Sequence, residues 1–491
     1  MGDDTVGAGH VFVVHGRLET VRYDVVIVPT DRRFNVEPQW NVLLNGRKPS
    51  APVGWDRGFG CNPDDPRVWF ISVYDGAAVT GAELELRMEA MTREIVSAAE
   101  RSAEGRLVVA MPVLGIRGGA QGDRRGEVIR ELLQAMTRIA RAYRIDFALV
   151  TPDRALHGAI QHFRRANPGL HSGLGAEELS VAAQLGALAQ QQHLALFIGA
   201  GVSMAAGLPS WNGLLEELSR RADIPEGDFT SLSGSPLDQA ELISLHMRDH
   251  LGSTVAELVR KATQVSLAHA LLAGLDAGQV VTTNYDELYE RAVEFTGRPR
   301  PAILARQNAV PGRPWLLKLH GDIGDEAKIV LTRRSFVRFD ANSRPAGSLL
   351  QSLMMTKHLL VVGTSMSDDN VIRLALEVDE FLESKAQFGT FVDVSAPSAR
   401  TKLWEKRFRW VNCAGDDTAT RVRQMEILLD AIGMYATKDA SWLLDQRFSG
   451  LLEPDDRALA NELRRISEKV RRSESELLGP LRNSLRDLGA S

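Results

Sequence analysis

The sequence predicts an α/β protein with two sheet-forming domains and a C-terminal helical tail. Short runs rich in Val and Ile alternate with segments of helical periodicity in both halves of the chain. Several of these runs end in glycines or short polar residues, as strands do at a sheet edge that binds a ligand. Alternating strands and helices form mostly parallel sheets covered by helices. We expect domains over residues 1–165 and 176–435, with the tail over 436–491.

The first domain contains an alternating set of predicted strands and helices. Its strands are predicted over residues 11–14, 23–28, 68–74, 107–113 and 145–151. Its helices are predicted over 82–103 and 126–143, where apolar residues recur at helical spacing. The cluster of Asn, Pro and Gly residues over 167–173 is the predicted linker.

The second domain continues the alternation with more helices. Helices are predicted over 176–191, from Trp211, and over 237–249, 253–261 and 418–435, with a loop over 225–236. Ser210 is a predicted helix cap. Further strands are predicted over 390–394 and 408–411. In the tail, leucines at helical spacing over 455–488 predict an amphipathic helical pair. It packs on its own chain or forms a homo-oligomer.

Composition bounds the class of protein. With 44% hydrophobic and 25% charged residues, the 491-residue chain is typical of soluble globular proteins. Its net charge of −5 argues against a general nucleic-acid binder. Cys61 and Cys413, the two cysteines, exclude a disulfide framework and a four-thiolate zinc site. No apolar run reaches the roughly 20 residues that span a bilayer, and the N-terminus is acidic. These features predict a cytoplasmic protein without membrane association.

A glycine turn follows the apolar run that opens the second domain. The stretch Leu196–Ser203 reads Leu-Phe-Ile-Gly-Ala-Gly-Val-Ser, and a helix is predicted after it. In α/β folds such a turn lets backbone N–H groups approach a nucleotide pyrophosphate. Glycines at this place also serve close packing of strand and helix. Both interpretations stay open for the turn alone.

Three downstream stretches place polar residues at strand ends. They read Val-Val-Thr-Thr-Asn-Tyr-Asp over 280–286, Leu-Leu-Lys-Leu-His-Gly-Asp over 316–322, and Leu-Leu-Val-Val-Gly-Thr-Ser over 359–365. Individually, Asn284 can close a turn, while Asp286 and either Asp368 or Asp369 can cap helices. Because parallel strands end at one rim, we expect the polar residues of all four stretches to meet there.

These four stretches, with Gly-Leu-Pro-Ser-Trp over 207–211, resemble the sirtuin-like superfamily over residues 190–415. The motifs look like those of the NAD-hydrolysing branch found in prokaryotic antiphage defence, and this resemblance implies a Rossmann-like sheet. The resemblance implies that His320 is the catalytic base and that Asn284 orients the reactants. It implies that NAD is held by the residues Gly199, Ala200, Gly201, Ser203, Asp286, Gly363, Thr364, Ser365 and Asn370.

The sequence departs from sirtuin deacylases in two places. These enzymes carry a four-cysteine zinc module after the catalytic histidine, whereas this chain has no Cys-x-x-Cys. They also carry an arginine after the first glycines, where this chain has Pro209-Ser210-Trp211. Water is therefore the expected acceptor, with NAD as substrate and no metal. A protein deacylase or ADP-ribosyltransferase, and a non-catalytic NAD or ADP-ribose sensor, are the alternatives.

The first domain resembles macro domains, which bind ADP-ribose. The resemblance lies in Gly16–Thr20, Asp24–Thr30 and the glycine-rich stretch Pro112–Gly119. It departs at Arg17, where macro domains carry aspartate, and at Pro29-Thr30-Asp31. In Thoeris defence systems a sirtuin-like effector is joined to a nucleotide sensor. A cyclic ADP-ribose-type or other nucleotide signal is therefore the expected ligand, and a purely structural domain is the alternative.

Overall fold

A computed structural model describes residues 7–98, 106–116, 124–171, 173–304, 306–382, 386–396 and 399–490. The strands are β1 (Val11–His15), β2 (Val25–Asp31), β3 (Phe59–Cys61), β4 (Val68–Tyr74), β5 (Val108–Pro112), β6 (Asp146–Thr151), β7 (Leu194–Ile198), β8 (Gln279–Thr282), β9 (Ala302–Leu304), β10 (Trp315–Lys318), β11 (His358–Val362), β12 (Gly389–Asp393) and β13 (Phe408–Asn412). The helices are α1 (Gly81–Ala98), α2 (Arg125–Tyr143), α3 (Arg154–Ala166), α4 (Ala176–Gln190), α5 (Ala200–Met204), α6 (Trp211–Arg221), α7 (Glu226–Ser231), α8 (Pro236–Met247), α9 (Leu251–Val259), α10 (Leu267–Gly274), α11 (Leu288–Phe295), α12 (Arg333–Val337), α13 (Phe339–Thr356), α14 (Asp369–Phe381), α15 (Arg400–Trp404), α16 (Thr418–Ala436), α17 (Pro454–Arg472) and α18 (Gly479–Asp487).

The chain forms two compact units, and the second is inserted into the first. Unit 1 comprises Met1–Gly186 and Ile427–Ser491, and unit 2 comprises Ala187–Glu426. The connecting segments are helical, since α4 and α16 each cross a division. The sequence analysis assigns residues 436–491 to a separate tail. In the structure they belong to unit 1 because Trp442, Phe448 and Leu485 are buried in its core.

Unit 1 is built on a six-stranded mixed sheet. The strand order is β1-β6-β5-β2-β4-β3, and only the pairing of β3 with β4 is antiparallel among the described ladders. The apolar residues of β2 and β6 are almost completely buried, as expected for strands covered on both faces. The α/β class predicted from the alternating pattern is confirmed.

A buried ion-pair network joins the second segment of unit 1 to the first. Asp430 of α16 accepts hydrogen bonds from the Val13 amide (3.1 Å) and from both terminal nitrogens of Arg164. Its Oδ2 lies 2.8 Å from His10 Nε2. Burial raises the pKa of the Asp430 carboxyl, but Arg164 and His10 outweigh it and hold the pKa well below its usual range. Asp430 is therefore ionised in the folded protein, and its ion pairs hold α16 to the first segment of unit 1.

Unit 2 is built on a seven-stranded sheet that is parallel throughout its described ladders. The strand order is β13-β12-β11-β7-β8-β10-β9. The four central strands end in one row, because Val362 pairs with Ile198, Ile198 with Thr282, and Thr282 with Lys318. This confirms the parallel sheet expected for the second domain and fixes the rim that its polar residues occupy.

Several predicted elements differ from the structure. The loop predicted over 225–236 contains the short helix α7, and β3 and α3 were not predicted. Residues 99–103 of the first predicted helix and residues 117–122 of the glycine-rich loop lie outside the described residues.

The tail helices bury fewer of their leucines than their spacing predicts. In the structure Leu459, Ile466 and Leu477 are exposed, whereas Ala460 and Val470 are buried. Self-association through these exposed side chains stays a prediction. Among the described residues, no helix is both long and apolar enough to cross a bilayer.

Candidate active site

A cavity of about 740 Å³ lies in unit 2 at the rim where the four central strands end. The stretches after β7, β8, β10 and β11 all contribute to its lining, as predicted from their polar ends. The predicted site residues that line it are Ala200, Ser203, Asn284, Asp286, His320, Gly363, Thr364 and Ser365. The remaining three, Gly199, Gly201 and Asn370, are not among its lining residues.

The first and last of these loops cross in close contact. The Gly201 amide donates a hydrogen bond to the Gly363 carbonyl oxygen (2.8 Å). A Cβ atom at Gly201 would lie 3.0 Å from the same oxygen, and one at Gly363 would lie 2.8 Å from the Val202 nitrogen. Gly363 also has a φ of +73°, which favours glycine. Loop packing thus accounts for these glycines, and the Gly201 amide is already engaged.

Ser203, Asn284 and Asp286 form a buried hydrogen-bonded cluster. The Ser203 hydroxyl donates to Asp286 Oδ2 (2.7 Å) and accepts from Asn284 Nδ2 (2.9 Å). Asn284 Nδ2 also donates to the Gly199 carbonyl (3.1 Å). The other oxygen of Asp286 accepts from the amide of Leu288 (2.9 Å), the first residue of α11, although the N-cap residue of that helix is Glu287. Each side chain is held in one orientation by the next.

Asn284 retains unused hydrogen-bonding capacity. Its Oδ1 atom is buried and has no hydrogen-bond partner within the described part of the chain. Burying an amide oxygen without a partner is costly. Since Asn284 lines the cavity, this acceptor suits a ligand hydroxyl or a water molecule.

His320 is fixed by a carboxylate and by an aromatic ring. Its Nε2 atom lies 2.8 Å from Asp368 Oδ2. The Phe336 ring of α12 packs edge-on against the imidazole, with 5.0 Å between ring centroids. His320 is 3% exposed and is still part of the cavity lining. The histidine is therefore oriented before any ligand binds.

Two buried groups that the sequence analysis did not single out support the site. Lys318 Nζ lies 2.7 Å from both Glu290 Oε1 and Asp322 Oδ2 and donates to the Asp286 backbone oxygen. His269 Nε2 lies 3.4 Å from the Ser203 hydroxyl, and burial lowers the pKa of His269 to about 4 although Asp286 opposes the shift. A lone histidine on an apolar helix gave no signal in the sequence.

The charges that line this cavity are mostly negative. Asp286, Asp368 and Asp369 are carboxylates, and Arg333 is the one Arg or Lys among the described lining residues. Arg333 forms an ion pair with Asp238. Carboxylates that line a cavity favour a ligand group that carries or develops positive charge.

Unit 1 contains a second cavity, of about 710 Å³. Its lining draws on the stretches that carry the resemblance of the first domain, namely Arg17–Glu19, Pro29–Asp31 and Pro112–Ile116 without Leu114. Arg125 also lines it, and Arg117 of the glycine-rich stretch lies outside the described residues.

Comparison with known proteins supports the sirtuin-like assignment of part of the chain. Residues 278–408 match the family model of the SIR2-like domain. This segment includes the strand ends that carry Asn284, Asp286, His320 and Gly363. The predicted resemblance is thereby confirmed for that segment.

Three characterised relatives are similar over part of their length. The chain is 26% identical over 208 residues to the NAD(+) hydrolase ThsA of Bacillus cereus (strain MSX-D12), covering 39% of this chain and 42% of that protein. It is 28% identical over 189 residues to ThsA of Cytobacillus dafuensis, covering 37% of each. It is 24% identical over 188 residues to defense-associated sirtuin 2 of Bacillus subtilis, covering 36% of this chain and 18% of that protein. The chain thus spans less than half of each relative.

Proposed function

We propose that unit 2 is an NAD⁺ glycohydrolase that cleaves NAD⁺ to nicotinamide and ADP-ribose. The convergence of His320, Asn284 and Asp286 at the cavity rim carries the proposal. Two relatives named NAD(+) hydrolase support it. The roughly 740 Å³ of the cavity are within the usual range for a nucleotide-sized ligand.

Catalysis of this reaction depends more on positioning the reactants than on the strength of an acid group. The bond from ribose C1′ to the nicotinamide nitrogen breaks, and its electron pair neutralises the pyridinium ring. The oxocarbenium-like carbon that remains is stabilised by nearby carboxylates and attacked by water. His320 takes the proton that the water loses, and the unpaired Asn284 oxygen orients the water or a ribose hydroxyl. No metal takes part in this scheme.

The proposed ligand positions are those that the sirtuin-like resemblance implies. In this proposal Asp286 lies at the nicotinamide ribose, and Ala200 and Ser203 line the path of the phosphates. Gly363, Thr364 and Ser365 lie on the adenosine side. Gly199 and Gly201 shape the site through the loop crossing, since the Gly201 amide is used by Gly363, and Asn370 belongs to the adenosine side in this proposal.

We further infer that the enzyme is a regulated effector of antiphage defence and that unit 1 senses a nucleotide signal. Unrestrained NAD⁺ hydrolysis would be toxic to a cell, so a restraint is required. The name of the Bacillus subtilis relative supports the defence role. The unit 1 cavity, lined by the macro-like stretches, supports a cyclic ADP-ribose-type ligand.

The proposal is tested by following nicotinamide release from NAD⁺ by the purified full-length protein. We expect release without an acylated peptide, increased by cyclic ADP-ribose, and abolished in N284A. Release that depends on acylated peptide would instead indicate a deacylase or transferase. Tight binding of NAD⁺ without release, in the presence and absence of cyclic ADP-ribose, would indicate a non-catalytic sensor.

A further inference from the structure

Asp368 is held in a fixed position by the start of helix α14. Its Oδ1 atom accepts hydrogen bonds from the backbone amides of Asn370 (3.0 Å) and Val371 (3.1 Å), which makes it the N-cap of that helix. A capping contact of this kind leaves the second carboxylate oxygen in a defined direction. A helix cap alone needs only one of the two oxygens.

The second oxygen meets the histidine of the proposed active site. Oδ2 lies 2.8 Å from His320 Nε2, although the two residues are 48 positions apart. Both side chains line the same cavity. Burial raises the pKa of the Asp368 carboxyl, but His320 and the two capping amides lower it below its ordinary value. The carboxylate is therefore charged where it meets the imidazole.

We propose that Asp368 is a positioning residue that orients His320 and stabilises the imidazolium formed during NAD⁺ hydrolysis. This inference rests on the proposed function of unit 2. A charged carboxylate 2.8 Å from Nε2 favours the neutral tautomer that carries its proton on Nε2 and its lone pair on Nδ1. Nδ1 then takes the proton from water as the water oxygen bonds to C1′ and the electron pair of the broken bond leaves with nicotinamide. The proton stays on the imidazole, and Asp368 stays ionised.

The neighbouring carboxylate provides a matched control. Asp369 lines the same cavity and carries the same charge, but it is exposed and is the first residue of α14 rather than its cap. A general field effect of negative charge would involve both residues. An orienting contact with His320 involves only Asp368.

The experiment compares D368N, D368S and D369N with the wild-type full-length protein, using NAD⁺ as substrate. Asn and Ser both remain good helix caps, so α14 is preserved in the first two variants. We expect kcat to fall at least about 100-fold in D368N and D368S, with KM for NAD⁺ changed less than about threefold. D369N should lower kcat by less than about tenfold, because the described contact with His320 Nε2 is made by Asp368. Melting temperatures report whether each variant folds.

The outcomes separate this inference from the proposed function. Wild-type protein that never releases nicotinamide overturns both. Active wild-type protein together with an equally active D368N or D368S overturns the positioning role alone. A rise in KM with unchanged kcat also overturns it, because that result indicates that Asp368 only shapes the binding loop. If D369N loses as much kcat as D368N, the loss comes from the general negative charge at the cavity and not from the contact between Asp368 and His320. The positioning role of Asp368 is then overturned.

Discussion

The two units contain similar structural features, but these features lie at different positions relative to the cavity of each unit. Each has a largely parallel central sheet, a cavity of 700 to 750 Å³ and a carboxylate beside a buried histidine. In unit 2 the pair His320 and Asp368 lines the cavity. In unit 1 the pair His10 and Asp430 does not, and Arg164 closes it into an ion-pair network.

This difference separates chemistry from stability. A histidine that reaches a cavity can exchange protons with a ligand, whereas one enclosed with an arginine cannot. Buried titratable groups with strongly shifted pKa values occur in both functional sites and structural networks, so the shift alone does not identify an active site. Access of the titratable group to a cavity does identify an active site. The following predictions test that distinction.

The largest expected effect is on turnover in unit 2. H320A should reduce the rate of nicotinamide release by about 1,000-fold or more, because the base that accepts the proton of water is lost. Its melting temperature should stay within a few degrees of wild type. H246A is the control, since His246 is an exposed histidine of the same unit. If H320A keeps more than a tenth of wild-type activity, His320 is not the base.

The next effect is on the stability of unit 1. D430A should lower the free energy of unfolding by about 3 to 5 kcal/mol, because Arg164 is left buried without its carboxylate. Denaturant unfolding measures the loss. D64A, at an exposed aspartate, should change stability by less than about 0.5 kcal/mol.

The same network predicts a dependence of stability on pH. The pKa of Asp430 is lower in the folded protein than its ordinary value of 3.8. Its stabilisation is therefore complete above about pH 4 and is lost as the pH falls toward the depressed folded value. A D430A protein as stable as wild type at pH 7 would contradict the assigned role of the network.

The smallest expected effect is on ligand binding in unit 1. R17E reverses a charge on the cavity lining and should weaken binding of cyclic ADP-ribose about tenfold, which corresponds to about 1.4 kcal/mol. Titration calorimetry with cyclic ADP-ribose measures the change in binding. The full-length H320A background is used so that no NAD⁺ is consumed during the measurement. R22E is the control, because Arg22 is exposed but is not part of the cavity lining. If R17E and the wild type bind cyclic ADP-ribose equally well, the ligand does not bind in this cavity.

Point variants suit unit 1 better than truncation does. Removing residues 1–165 would strip the core partners of Trp442 and Phe448 in the second segment. Any change in activity would then reflect exposed apolar surface as well as a missing sensor.

The sequence predicted the rim of unit 2 because its strands are apolar runs that stop at polar residues. Parallel pairing alone brings such ends together, so Asn284, Asp286 and His320 could be grouped before the structure was known. The contact between His320 and Asp368 could not, because it depends on the direction of a capping side chain after another strand. The three-residue strand β3 is too short for its alternation to be detected.

The glycine turn shows a different limit of sequence patterns. A Gly-x-Gly turn fits both a phosphate site and close packing, and only the structure reveals that Gly201 and Gly363 face each other. His269 could not be predicted as part of the site, because a single histidine on a short apolar helix produces no periodic pattern in the sequence. Likewise, the tail leucines share a helical spacing, but spacing does not say which of them meets the core of unit 1.

The insertion of unit 2 has a consequence for biosynthesis. A ribosome completes residues 187–426 before it makes Asp430, Trp442 and Phe448, which unit 1 needs for its core and its ion-pair network. At roughly 5 to 20 residues per second, the nascent first segment waits on the order of 10 to 50 seconds for these partners. Unit 2, the proposed hydrolase, can therefore fold on the ribosome before unit 1 is complete. In each new chain, unit 2 is therefore complete before the proposed regulator, unit 1, can form its core.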